Sequence, residues 1–209
     1  MLNKSKQKSD KGSLNRMIII FALLITVLII VALAVWQRSS ESGFSPDQTR
    51  IYGIHLDEFE GRTESIAGLY SPTVDGFDFT GQPVGIDDDE RPKIIIFLAH
   101  WCSHCQEEAK LLKKYFSIHG VSTAVDGYAV ATAIDSNKPN YPPDKWLERE
   151  GWPYQIVSDT SDDSIAKAFG VNAFPYWVLV DSEGKVVSRV KGSLTENEIA
   201  QTFTMMSGR

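Results

Sequence analysis

The chain has 209 residues, two of them cysteine, with 23% charged and 43% hydrophobic side chains, a balance that excludes a disulfide-stapled scaffold and a wholly disordered chain. Its formal charge of −6 is unevenly spread: Lys4, Lys6, Lys8, Lys11 and Arg16 against Asp10 put residues 1–16 at +4 and the remainder at −10. An acidic body argues against a nucleic-acid partner, and the length accommodates one domain with an appendage.

Residues 1–16 form the basic tail, and Met17 to Trp36 then give 20 residues with no charge and only Thr26 as a polar interruption. As a helix this run is long enough for a hydrocarbon core of about 30 Å. Basic residues precede it and only Arg38 follows closely, so the positive-inside rule keeps the N-terminus cytoplasmic and places residues 37–209 on the extracytoplasmic side of the plasma membrane. Ala32, Leu33 and Ala34 also resemble a small-x-small cleavage site, but the run exceeds the roughly 7 to 15 residues of a typical signal core, which favours a retained single-pass anchor. No cysteine lies near its end to carry a lipid.

Residues 37–69 open with the polar run Gln37 to Gly43 and read as a juxtamembrane linker. Ile51, Tyr52, Ile54, Leu56 and Phe59 are apolar but follow no sustained period. From Tyr70 to Arg209 strands and helices alternate. Phe77 to Phe79 and Gly81 to Val84 predict two short strands across a turn, and Asp87 to Glu90 a solvated loop. Ile94 to Leu98 predicts a buried central strand. Next comes Trp101-Cys102-Ser103-His104-Cys105, followed by Ala109, Leu112, Tyr115 and Phe116 at helical spacing. Further along, Tyr128 to Ile134 and Tyr154 to Val157 predict strands, and Pro142 to Glu150 a helix started by prolines. Asp162 to Phe169 predicts a helix ended by Gly170, and Tyr176 to Val180 a strand entered through Pro175. A turn at Asp181 to Gly184 leads into Lys185 to Val190, and Thr195 to Met206 closes the chain as a helix with a capping box to Glu198.

Two cysteines three apart at a helix N-terminus can close a disulfide across one turn, and the first sits where backbone N–H groups and the helix dipole favour a thiolate. Cys102 is therefore the expected nucleophile and Cys105 the resolving thiol that releases a mixed disulfide. A structural zinc site would need four ligands, and there is no second cysteine pair. An unlike alternative is a copper or zinc delivery module built from His100, Cys102, His104 and Cys105.

Strand, WCxxC, helix, then a proline-led strand and hairpin resemble the thioredoxin superfamily, and more closely its membrane-tethered TlpA/ResA-like branch. The likeness covers Tyr70 to Arg209 and includes the Gly81-Gln82-Pro83-Val84 hairpin, Glu108 three residues past Cys105, and the extra helix and strand between motif and proline. It implies a thioredoxin-like α/β fold, a central mixed sheet flanked by helices, behind an N-terminal transmembrane helix. It also implies a cis bond at Pro175 facing the cysteines, with Phe174 offering its backbone, beside Trp101, to a substrate peptide.

Two positions depart from that pattern. The carboxylate that thioredoxins place six residues before the first cysteine is Ile96 here, which leaves proton handling to Glu108 or water, and a common helix proline is Lys110. His104 resembles the histidine between the cysteines of DsbA-type oxidants, and by stabilising a Cys102 thiolate it favours the reduced pair and hence an oxidising protein. His100 reads as a rim residue.

Together these features imply a membrane-anchored thiol-disulfide oxidoreductase that needs no bound cofactor. It would exchange electrons with cysteine-containing exported proteins and with a separate redox partner. Sco-type copper carriers resemble CxxxC with a distant downstream histidine, and this chain has no histidine after His119. A peroxide-reducing redoxin would need a peroxidatic cysteine in its own motif, outside the pair. A purely structural domain would leave a reactive pair without purpose.

Overall fold

The computed structural model describes residues 7–40, 46–65 and 68–208, and within the first helix the side chains of 15–31 and 33. The chain divides into two compact units, residues 1–44 and 45–209. The first contains helix α1, Gln7–Ser40, whose described apolar side chains, among them Met17, Phe21, Leu28 and Leu33, are exposed. Among the described residues no helix is long and apolar enough to cross a membrane. The side chains of Ala32 and of residues 34–36, which complete the uncharged run, lie outside the described set, as do the start of the basic tail and residues 41–45.

The second unit is a mixed sheet with helices on it. Its strands are β1 (Arg50–Tyr52), β2 (Thr63–Glu64), β3 (Thr73–Phe77), β4 (Pro83–Ile86), β5 (Lys93–Leu98), β6 (Asp126–Ala131), β7 (Gln155–Ser158), β8 (Tyr176–Val180) and β9 (Val186–Lys191). Its helices are α2 (Ser103–His119), α3 (Pro143–Arg149), α4 (Ser164–Ala168) and α5 (Glu196–Met206). The order is β1-β3-β7-β6-β5-β8-β9-β2, with β4 paired to β3. β5 is parallel to β6 and antiparallel to β8, so it lies at the centre with both edges paired.

Every β5 side chain is buried, and the period of two sends alternate residues to opposite faces. Ile95 and Phe97 join a core with Val130, Val157, Ile165 and Phe169, under α4. Ile94, Ile96 and Leu98 join the other core with Cys105, Leu112, Trp146, Trp177 and Phe203, under α2, α3 and α5. Each such large apolar side chain contributes roughly 1.5–3 kcal/mol on full burial. The buried Lys93 ammonium at the start of β5 reaches the Asp89 carboxylate of the otherwise exposed acidic loop.

The hairpin read at Gly81 is present, though β3 begins at Thr73 and pairs Phe77 with Pro83. Asp78 Oδ1 closes it by accepting from Thr80 and Gln82 N–H at 2.8 and 2.9 Å. The last helix carries the expected capping box of Thr195 and Glu198.

Residues 37–69 differ from a linker over their second half. β1 pairs with β3 and β2 with β9, while Leu56 and Phe59 enter the core. This strap, residues 53–65, is fastened mainly by Arg189 of β9, which is 2% exposed. Its guanidinium binds the Glu64 carboxylate and donates to the carbonyls of Asp57 at 2.8 Å and Phe169 at 3.1 Å. It also lies 4.9 Å from the Phe59 ring centroid. Lys191 adds a bond to the Phe59 carbonyl. Short strands held by a few cations leave no periodic trace in the sequence, which is why the segment reads as a linker.

Candidate active site

The chain stays buried through β5, Ala99 and His100, then surfaces at Trp101, which is 38% exposed. Trp101 Nε1 donates to the Ala133 carbonyl at 2.7 Å, which fixes the ring beside the motif. Cys102 follows as the N-cap of α2, with φ −76° and ψ 124° and no side-chain cap. Its carbonyl accepts from Gln106 N–H at 3.1 Å, so the unpaired N–H groups of the first turn gather at its end of the helix.

Both cysteines are free thiols, Cys102 partly exposed and Cys105 buried. Burial pushes the Cys105 thiol well above its ordinary range. A negative charge on Cys102 pushes it in the same direction. Opposite them, Cys102 Sγ lies 3.9 Å from the Phe174 carbonyl oxygen, and the Phe174-Pro175 peptide is cis. A second cis bond precedes Pro142, which was expected only as a helix starter.

The position of the missing strand carboxylate is filled from the helix. Ile96 lies opposite Trp177 in the β5–β8 ladder. Trp177 Nε1 donates at 3.0 Å to Oε1 of Glu108, one turn past Cys105. Glu108 is fully buried, and the Leu194 N–H lies 3.1 Å from both of its oxygens. Desolvation pushes its pKa up to about 7 against these donors, so one buried carboxyl beside a buried thiol can both take and give a proton near neutrality. Lys110, where relatives carry a proline, is exposed on a helix that runs unbroken from Ser103 to His119.

The histidines correct two expectations. His100 is 0% exposed rather than on the rim. Its Nδ1 donates to the Pro139 carbonyl at 2.6 Å, and Nε2 accepts from Asp135 N–H at 3.2 Å. Neither nitrogen is free for a metal. No group of three or more His, Cys, Asp or Glu among the described residues could hold a metal ion, so the copper or zinc module is set aside. His104 is exposed on the first turn of α2, and among the described residues its imidazole has no hydrogen-bond or ionic partner.

Sequence reasoning missed the Leu194 N–H that donates to Glu108. A backbone donor has no sequence signal. The Thr195 and Glu198 capping box marks the turn it occupies, but nothing in the sequence announces what that turn faces.

A WCxxC pair on the first turn of a helix, facing a cis proline at the end of a central mixed sheet, defines a thioredoxin-like oxidoreductase site. The chain belongs to the thioredoxin-like domain family, whose model matches residues 85–206, and it is a thiol-disulfide oxidoreductase. Among curated relatives, thiol-disulfide oxidoreductase ResA of Geobacillus thermodenitrificans is 26% identical over 151 residues, covering 72% of this chain and 83% of that protein. Thiol:disulfide interchange protein DsbE of Xylella fastidiosa is 27% identical over 173 residues, covering 83% and 78%. The thioredoxin domain of a thiol-disulfide oxidoreductase from Bacteroides vulgatus superposes with a TM-score of 0.53 at 24% identity, over 68% of this chain and 98% of that one, which speaks to the fold.

Proposed function

We propose that this domain is a membrane-anchored, extracytoplasmic oxidoreductase that exchanges the Cys102–Cys105 pair with cysteines of exported proteins, favouring their oxidation. The observation that carries the exchange reading is the order of groups inward from the surface: accessible Cys102 beside the Phe174 carbonyl, buried Cys105, then Glu108 one turn deeper. In the oxidising direction a substrate thiolate attacks Cys102 Sγ and breaks the Cys102–Cys105 bond. The leaving Cys105 thiolate, disfavoured by burial, takes the proton of Glu108. A second substrate thiolate then attacks the substrate sulfur of the mixed disulfide, forming the substrate disulfide and releasing Cys102 as thiolate. The substrate loses two electrons and the pair gains them. Reduction runs the same steps backwards, with the Glu108 carboxylate accepting the Cys105 proton. A separate redox partner restores the starting state.

The direction rests on exposed His104, whose N–H groups and positive charge when protonated favour the thiolate product at Cys102. The anchor and topology rest on the uncharged run 17–36, the exposed apolar side chains along α1 and the basic residues before them. Trapping tests the exchange. Cys105→Ser should accumulate mixed disulfides with a disulfide-containing peptide and Cys102→Ser should not; the reverse pattern would reject the assignment. A reporter active only in the cytoplasm, fused after Arg209, should stay silent, and a strong signal would overturn the topology.

A further inference from the structure

We propose that buried His100 is a positioning residue for the substrate peptide: by clamping the segment from Ala133 to Asn140 against the motif, it sets the Trp101 ring beside Cys102. This deepens the reading that a peptide docks at Trp101 and Phe174 to exchange with Cys102, and it rests on that reading.

His100 lies two residues before Cys102, yet no step of the exchange uses its ring. Both ring nitrogens are committed to one segment. The Pro139 carbonyl, 2.6 Å from Nδ1, can only accept, and the Asp135 N–H, 3.2 Å from Nε2, can only donate. Partners of fixed polarity select the neutral ring with its hydrogen on Nδ1. The His100 carbonyl completes the clamp, accepting from Asn140 Nδ2 at 3.2 Å and from Gln106 Nε2 of α2 at 3.1 Å. Four hydrogen bonds thus run through one buried residue, three of them to the segment.

At its other end the segment returns this hold to the motif. The Ala133 carbonyl accepts from Trp101 Nε1 at 2.7 Å. To aim it, Ala133 takes a φ of 49°, in the left-handed region that a residue with a Cβ seldom occupies. The Ala133 N–H is held in turn by Asp163 Oδ1 at 2.8 Å. Such a backbone persists only where its surroundings over-determine it, and here they are Asp163, Trp101 and, through the segment, His100. The indole so aimed is 38% exposed, next to the accessible cysteine. Held at Nε1 and open on part of its surface, it is set to pack on an approaching peptide. Without the imidazole, Asp135 N–H and the Pro139 carbonyl lose their partners, the segment loosens, and the indole loses its fixed acceptor. Docking weakens, while the bond-making steps at sulfur are untouched.

The test uses the oxidised full chain in detergent with an excess of a synthetic peptide carrying two cysteines, its oxidation followed by acid quenching and alkylation. His100→Leu should raise the half-saturating peptide concentration about tenfold, the worth of a lost hydrogen bond. The limiting rate should stay within about twofold, the signature of lost binding rather than lost chemistry. His100→Asn, whose amide nitrogen can replace Nδ1 as donor to Pro139, should raise the half-saturating concentration only about threefold. Trp101→Phe keeps a ring but removes the donor to Ala133, and should also raise it about tenfold. Because His100 acts through Trp101, combining His100→Leu with Trp101→Phe should cost little more than either alone, still about tenfold. An additive loss of about a hundredfold would overturn the proposal. So would a half-saturating concentration unmoved by either His100 variant, or a loss confined to the limiting rate. If His100→Leu does not fold, His100→Asn combined with Trp101→Phe makes the same comparison. If the wild-type chain itself shows no saturation with the peptide, the docking reading beneath fails; if it saturates and the variants are additive, the role of His100 alone fails.

Discussion

The arm from β5 through the cysteines into α2 and the strap from Gly53 to Ser65 converge on the turn at Ser193, but they are fastened by different physics. The arm is held by a ladder on both edges of β5 and by apolar side chains alternating into two cores. The strap has a two-residue ladder to β9 and two core side chains, and otherwise hangs on polar anchors, chiefly the cations Arg189, Lys191 and Arg62. Burial distributed over many residues tolerates the loss of one, whereas a strap hung on a few cations is more sensitive. Rigid apolar packing holds the sulfurs, and polar fastening holds the strap.

The largest expected effect breaks the strap. Arg189→Ala leaves Glu64 and the carbonyls of Asp57 and buried Phe169 without their donor and should cost about 4 kcal/mol in chemical denaturation. A loss below about 1 kcal/mol would show that the strap is pinned elsewhere.

The next effect has the opposite sign and belongs to the arm. Glu108 has its folded pKa raised to about 7, so its favourable neutral form is fully present below the unfolded value of about 4.3. That contribution is lost as pH rises through about 7. Glu108→Gln, which carries no charge, should match wild-type stability near pH 4 and exceed it above pH 8 by up to about 3 kcal/mol. Equal stability at both ends would mean that the carboxylate is not penalised by its site. Smaller again, His104→Ser should make the pair less oxidising, by about tenfold in the glutathione equilibrium or about 30 mV. No change would leave the direction of exchange without a residue to carry it. The smallest, Thr195→Ala, removes the side-chain half of the α5 cap and should cost about 1 kcal/mol. A neutral result would mean that Arg62 and Glu198 hold the turn alone.

The same contrast explains what the sequence made legible. Ile94 to Leu98, the WCxxC spacing, the proline before Tyr176 and the Thr195 cap each carry a local signal: period, spacing or a terminal residue type. The strap carries none, because strands of two and three residues have no period and Arg189 reads as an ordinary strand cation until its partners are placed. His100 was misread for a related reason. Its burial depends on the segment from Asp135 to Pro139 folding back over it, a tertiary event that its neighbours in sequence do not encode. Glu108 was visible as a candidate beside the absent carboxylate at Ile96, but its donors Trp177 and Leu194 come from elements far along the chain.

The central claim, that a buried carboxyl one turn past Cys105 carries the proton of the exchange, is tested most directly by the pH dependence of a single turnover. Oxidised full chain and its Glu108→Gln variant are reduced by a model thiol from pH 5 to 9, and tryptophan fluorescence follows the change at the motif. The wild-type rate should inflect near pH 7, the Glu108 value, and the variant should lose that inflection and run about 10²-fold slower. Superimposable profiles would contradict the account.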